Sequence, residues 1–153
     1  MKGALVLKPA DVILDLQATK GEEVLAELAD RLVQGSPAVS REGLLQLLLD
    51  REGLGSTGIG DGIAIPHCKL PELAEPVLVF GRSSGGVDFR AIDGRPVYLF
   101  FLLVAPEGAA GIHLKLLARL SRLLKDSAVR VRLMSAGTPE EIVAIVVERD
   151  SIA

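Results

Sequence analysis

A chain of 153 residues, 49% hydrophobic and 24% charged, has the make-up of a folded globular protein. It is most simply one domain over 1–153, long enough to bury roughly 70% of its unfolded surface. A net charge of −3 offers nucleic acid no electrostatic attraction, and a single cysteine excludes an internal disulfide and suits a reducing cytosol.

The first nine residues lack the apolar core and small-residue cleavage site of a secretory leader. In chain order, Thr19-Lys20-Gly21-Glu22 then reads as a capping box, and Val24, Leu25, Leu28 and Leu32 share one helical stripe. Gly35-Ser36-Pro37 ends that helix. Ser40 is placed to cap a second helix that carries Leu44, Leu45, Leu47 and Leu48 and stops near Gly53. Residues 63–65 make a short strand. Residues 77–83 read as a strand, and residues 97–104 as a continuously apolar one, buried on both faces. The apolar run at 97–105 is far short of the ~20 residues that a membrane helix needs, so a cytoplasmic protein without membrane insertion is expected. Helices are predicted over about 112–125 and 128–135. Thr138-Pro139-Glu140-Glu141 opens a last helix, with proline at its first position and Ile142, Ile145 and Val146 on one stripe. Helices flanking strands, one strand too apolar to face water, imply an α/β sheet covered on both faces. The pattern leaves the strand order open.

The most informative stretch is Gly58-Ile59-Gly60-Asp61-Gly62-Ile63-Ala64-Ile65-Pro66-His67. Alternating glycines admit tight turns and close approach of chains. Pro66 fixes its own φ and holds Ile65 extended. His67 is therefore held rigidly at a strand end, and an imidazole with pKa ~6.5 is largely neutral and nucleophilic near pH 7. A histidine that only secures the strand end fits the local pattern equally well. His113 shares its helical face with Leu116, Leu117, Leu120 and Leu124. It lies in the first turn, where the dipole disfavours imidazolium and free amides favour anions. A core histidine bonded to backbone is its plainer reading. Arg51 offers a planar fork to phosphate oxygens, or simply a cation at a helix C-terminus. Thr57, ahead of Ser56, can add a hydroxyl donor, although turn hydroxyls commonly serve their own backbone.

Other chemistries fail on context. Gly55 to Gly60 has P-loop spacing, but Asp61-Gly62 stands where a lysine and a hydroxyl residue belong. The glycines at 53, 55 and 58 match a dinucleotide fingerprint in letters, yet a helix precedes them and a strand follows, the reverse of what it needs. His67, Cys68, His113 and Asp61 are a conceivable metal set. Adjacent residues of an extended segment face opposite ways, however, and there is no paired-cysteine spacing.

Gly-Ile-Ala-Ile-Pro-His at 62–67, preceded by Arg51-Glu52 and Gly55-Ser56-Thr57-Gly58, resembles the phosphohistidine site of the type 2 enzyme IIA family. These are the mannitol/fructose and nitrogen-regulatory proteins of the bacterial phosphoenolpyruvate-dependent phosphotransferase system. The resemblance spans nearly the whole chain, because His113 opens a helix at the expected distance. It implies a three-layer α/β sandwich with a mixed sheet between helical layers. It implies that His67 accepts a phosphoryl group from a histidine-containing phosphocarrier protein, and that His113 orients it. Arg51 and Thr57 would bind phosphate or partner, with no cofactor or metal required. The nitrogen-regulatory branch is the nearer, since the domain is short and unfused and Ser-Thr-Gly-Ile-Gly precedes the motif. Its output would be control of regulator or transporter proteins through the phosphorylation state. A sugar-specific component and an unphosphorylated docking module are the alternatives. Two departures stand out: Asp61 where asparagine is commoner, and Cys68 where glycine is usual. The first adds charge near a phosphoryl site and the second can crowd a partner.

Overall fold

The computed structural model describes residues 5–152, with side chains to 150. Residues 1–4 of the stretch read for a leader, and the end of the 1–153 span, lie outside the described residues. In chain order the strands are β1 (Val12–Ile13), β2 (Gly58–Gly60), β3 (Ile63–Ala64), β4 (His67–Leu70), β5 (Val77–Val87) and β6 (Val97–Pro106). The helices are α1 (Gly21–Gly35), α2 (Arg41–Gly53), α3 (Ala110–Leu124), α4 (Ser127–Ser135) and α5 (Pro139–Ile152).

The apolar strand β6 is the axis of the sheet. It pairs antiparallel with β5 on one side and parallel with both β3 and β4 on the other. β1 extends the sheet beyond β5 in parallel, and β2 closes the opposite edge antiparallel to β3. Alternation along β6 divides the core in two. Leu99, Phe101 and Leu103 pack with Leu116, Leu120, Leu133, Ile142 and Val146 under α3, α4 and α5. Phe100, Leu102 and Val104 pack with Leu28, Leu32, Leu44 and Leu48 under α1 and α2. Burial of each such side chain contributes about 1.5–3 kcal/mol relative to exposure. Phe101 meets Phe80 edge-on at 5.0 Å on one face, and Phe100 meets Phe89 at 5.2 Å on the other. The result is the expected mixed-sheet three-layer sandwich.

Most predicted elements are present with modest shifts. Ser40 caps α2 by accepting from the Gly43 amide at 3.2 Å, and Thr138 accepts from the Glu141 amide at 3.1 Å ahead of Pro139. The capping box at Thr19 is not formed. Lys20 stands at the N-cap, with no side-chain capping bond. Its backbone makes an isolated parallel bridge to Asp88, while Glu27 reaches back to the Gln17 and Ala18 amides. The approach to α1 is thus tied down from within the helix and from the 88 loop. β5 runs to Val87 rather than stopping near 83, through a register shift between Arg82 and Val87. Among the described residues, no helix is long and apolar enough to cross a membrane.

Candidate active site

β3 and β4 are two pieces of one line of chain, interrupted at Ile65 and Pro66, and both lie against β6. At the break, the Ile65 amide leaves the ladder and donates to the Thr57 carbonyl at 3.0 Å. His67 opens β4, rather than closing the strand before it, and pairs in register with Leu103. Leu103 faces α3, so the imidazole faces α3 as well. Cys68 pairs with Val104 and packs on the α1–α2 side. The pleat therefore sends His67 and Cys68 to opposite faces. Burial pushes the Cys68 thiol up to about 12, which leaves it an unreactive small hydrophobe.

His67 Nδ1 lies 2.6 Å from the Ile65 carbonyl oxygen. A carbonyl only accepts, so Nδ1 carries the ring proton and Nε2 the lone pair. Partial burial lowers the His67 pKa below its usual value, and the Arg51 charge adds to this. The bond to Ile65 and the Glu52 carboxylate pull the other way. The ring is therefore neutral at pH 7 with its nucleophilic nitrogen defined.

His113 stands in the first turn of α3, its amide donating to Ala109 O at 3.0 Å. Its ring centroid is 5.4 Å from that of His67, with the planes tilted by 53°. The side chain is buried, and Nδ1 has no hydrogen-bond partner. Burial, then the neighbouring charges of His67 and Lys69, push His113 down to about 4. Two neutral imidazoles thus face each other across the β4–α3 junction. Among the described residues, no group of three or more His, Cys, Asp and Glu is placed to hold a metal ion.

The other predicted residues surround this pair unequally. Arg51, in the last turn of α2, donates to the Gly55 carbonyl at 2.9 Å, close enough for its charge to depress the His67 pKa. Thr57 is 4% exposed. Its hydroxyl donates to Glu52 Oε2 at 2.5 Å and its amide to Glu52 Oε1 at 2.9 Å, so the hydroxyl is committed to a carboxylate. Ser56 serves its turn, donating to Phe89 O and accepting from the Gly58 amide. Gly58 is required here, since a Cβ would lie 2.8 Å from Ala91 Cα. Asp61 is exposed at the tip of the β2–β3 hairpin with φ 57°, its amide donating to Asp93. Its charge stands at the end of the hairpin opposite His67. The α2-to-β4 segment thus delivers one nucleophilic imidazole and a nearby guanidinium, and α3 brings a second, buried imidazole against the first.

The family model described as "Phosphoenolpyruvate-dependent sugar phosphotransferase system, EIIA 2" matches residues 5–149. The chain belongs to that family. It is 38% identical over 140 residues to a nitrogen regulatory protein of Bradyrhizobium diazoefficiens, covering 92% of this chain and 91% of that one. It is 37% identical over 150 residues to the PTS system fructose-specific EIIABC component of Bacillus subtilis. That match takes in 98% of this chain but only 24% of the Bacillus protein. The crystal structure of nitrogen regulatory protein IIA-Ntr from Neisseria meningitidis superposes with a TM-score of 0.87 at 34% identity, over 92% of this chain and 96% of that one.

Within this EIIA 2 chain, one residue of the site carried little sequence signal. Glu52 is a half-buried acid beside Arg51, and only the folded loop shows that both its oxygens are spent on Thr57. A carboxylate placed five residues before Thr57 was the available clue.

Proposed function

We propose that this protein is a phosphocarrier in which His67 Nε2 accepts a phosphoryl group from a histidine-containing phosphocarrier protein. The P–N bond to the donor imidazole breaks as the P–Nε2 bond forms. The Nδ1–H of His67 stays on the Ile65 carbonyl, which accommodates positive charge developing on the ring. Transfer onward reverses these steps. The observation that carries the reading is the His67 tautomer fixed by the 2.6 Å contact to Ile65, with neutral His113 beside it. Such chemistry depends mainly on position and charge. His113 is the orienting partner, and Arg51 supplies charge for the phosphoryl oxygens or the docking protein. Leu114, 66% exposed one residue beyond His113, supports an apolar docking surface beside the site, complemented by Arg51 and Lys69.

The likeness to IIA-Ntr in sequence and fold supports a cytoplasmic, nitrogen-regulatory role, with output to regulator or transporter proteins through the phosphorylation state. The nearly equal identity to a fructose-specific component keeps a sugar-specific role as the second reading. The deciding experiment is intact mass after incubation with phosphoenolpyruvate, enzyme I and the phosphocarrier, for wild type and His67→Ala. One acid-labile phosphoryl adduct, absent in the variant, is the expected result. No adduct on folded wild type, with a donor competent on another acceptor, would refute the phosphocarrier reading in favour of a docking module. Passage of the group from the adduct to a fructose-type IIB protein would favour the sugar-specific role.

A further inference from the structure

Glu52, Thr57, Ile65 and His67 form an unbroken line of hydrogen bonds that begins at an anion and ends on the ring proton of the nucleophile. Glu52 accepts from the Thr57 amide at 2.9 Å and from its hydroxyl at 2.5 Å. The Thr57 carbonyl accepts from the Ile65 amide at 3.0 Å, and the Ile65 carbonyl takes the His67 Nδ1 proton at 2.6 Å. We infer that Glu52 is a positioning residue: through Thr57 and Ile65 it fixes the carbonyl that keeps the proton on Nδ1 and leaves Nε2 bare. The consequence for rate rests on the phosphocarrier reading, whereas the tautomer follows from geometry alone.

Donor and acceptor chemistry explains why a carboxylate stands there. Thr57 presents two donors to one side chain, and an ionised carboxylate has two acceptor oxygens and no donor. A glutamine would satisfy one donor and set its own amide against the other. Thr57 and Ile65 are both buried, 4% and 3% exposed, so water is a poor substitute partner for either. Pro66 has no amide and a fixed φ. The Ile65–Pro66 peptide is therefore held from its two flanks, at the Ile65 amide by the Thr57 carbonyl and at the Pro66 carbonyl by the Leu103 amide, both at 3.0 Å. Of these, the first is the one that leads back to Glu52. A free-standing carboxylate here would only hinder phosphorylation, because it favours protonated His67 and repels the incoming phosphoryl oxygens. Its two bonds to Thr57 are what its presence secures.

The test uses the full chain labelled with ring ¹⁵N-histidine, at about pH 8, where His67 is neutral. Wild type should show His67 as the Nδ1–H form. Glu52→Gln and Thr57→Val should shift the tautomer ratio toward Nε2–H by about tenfold, the equivalent of one good hydrogen bond. Thr57→Ser, which keeps both donors, should retain the wild-type ratio. In stopped-flow phosphorylation, Glu52→Gln should lose about tenfold in kcat with KM for the donor unchanged. A folded Glu52→Gln protein with the wild-type tautomer ratio would overturn the inference. If that variant fails to fold, equal ratios in Thr57→Val and Thr57→Ser would overturn it instead. A wild type that takes no phosphoryl group would defeat the phosphocarrier reading, while the tautomer ratios would still decide the role of Glu52.

Discussion

Cys68→Gly separates the two faces of β4 by experiment. The family resemblance leads one to expect glycine at this position, which makes the cysteine a candidate obstruction to partner docking. The register denies this, because Cys68 lies opposite Val104 against the α1–α2 core while His67 lies opposite Leu103 toward α3. Removing the half-buried side chain forfeits about 1 kcal/mol of apolar burial. The glycine adds up to about 1 kcal/mol of backbone entropy in the unfolded chain. The sum is about 2 kcal/mol of lost stability, which in a protein of this size lowers Tm by about 4–8 °C. Phosphoryl acceptance, measured well below either melting temperature, should be unchanged within about twofold. A rate change of more than about tenfold in either direction would place the thiol on the docking side and refute the pleat argument. A thiol pushed up to about 12 should also react slowly with iodoacetamide at neutral pH in the native state, and quickly once unfolded.

Three further outcomes follow from the same structure. Arg82→Ala removes a guanidinium that donates to the carbonyls of Leu14, Leu133 and Ala136 at 3.0, 2.9 and 2.7 Å. It should cost about 3 kcal/mol in urea denaturation, and a loss under about 1 kcal/mol would show that these carbonyls hydrate freely. Phosphoryl acceptance should be flat near pH 7 and fall as His67 is protonated. Since its pKa lies below the usual 6.5, a half-maximal pH above that value would contradict the burial described. His113 is depressed from 6.5 to about 4 in the fold, so the unfolded chain takes up its proton first as pH falls. The stabilisation is complete above pH 6.5 and is lost progressively toward pH 4. In His113→Gln the urea midpoint should accordingly change less between pH 7 and pH 5 than in wild type.

The parts of this fold that were legible in sequence are those that repeat a period over many residues. β6 declared itself by an unbroken apolar run, and α1 and α3 by leucine stripes. The covered sheet followed because no strand like β6 can face water. β1, β2 and β4 run for two, three and four residues, too short for alternation to register. The partners of β1 and β4 are also remote in sequence, so the line of chain shared by β3 and β4 against β6 was not readable. Thr19 matched the letters of a capping box, but those letters lost to the Glu27 carboxylate from the next turns of the helix and to the long-range Lys20–Asp88 bridge. His67 was legible because its Gly and Pro neighbours constrain the backbone. Its position at the start of β4 was not, since that depends on pairing with Leu103. The Thr57 hydroxyl looked available for phosphate until Glu52, five residues back, was seen to occupy it.

The break at Ile65 and Pro66 bears on how a phosphorylated form of this protein would be recognised. His67 is fastened at its backbone to the central strand of the sheet, and its ring proton is pinned to the segment just before it. With backbone and ring both held, an added group has little freedom to swing. A phosphoryl group at Nε2 would therefore change the surface chiefly by adding negative charge, with little change of contour. A downstream protein that tells the two forms apart would have to do so by electrostatics, and its preference should weaken as ionic strength rises.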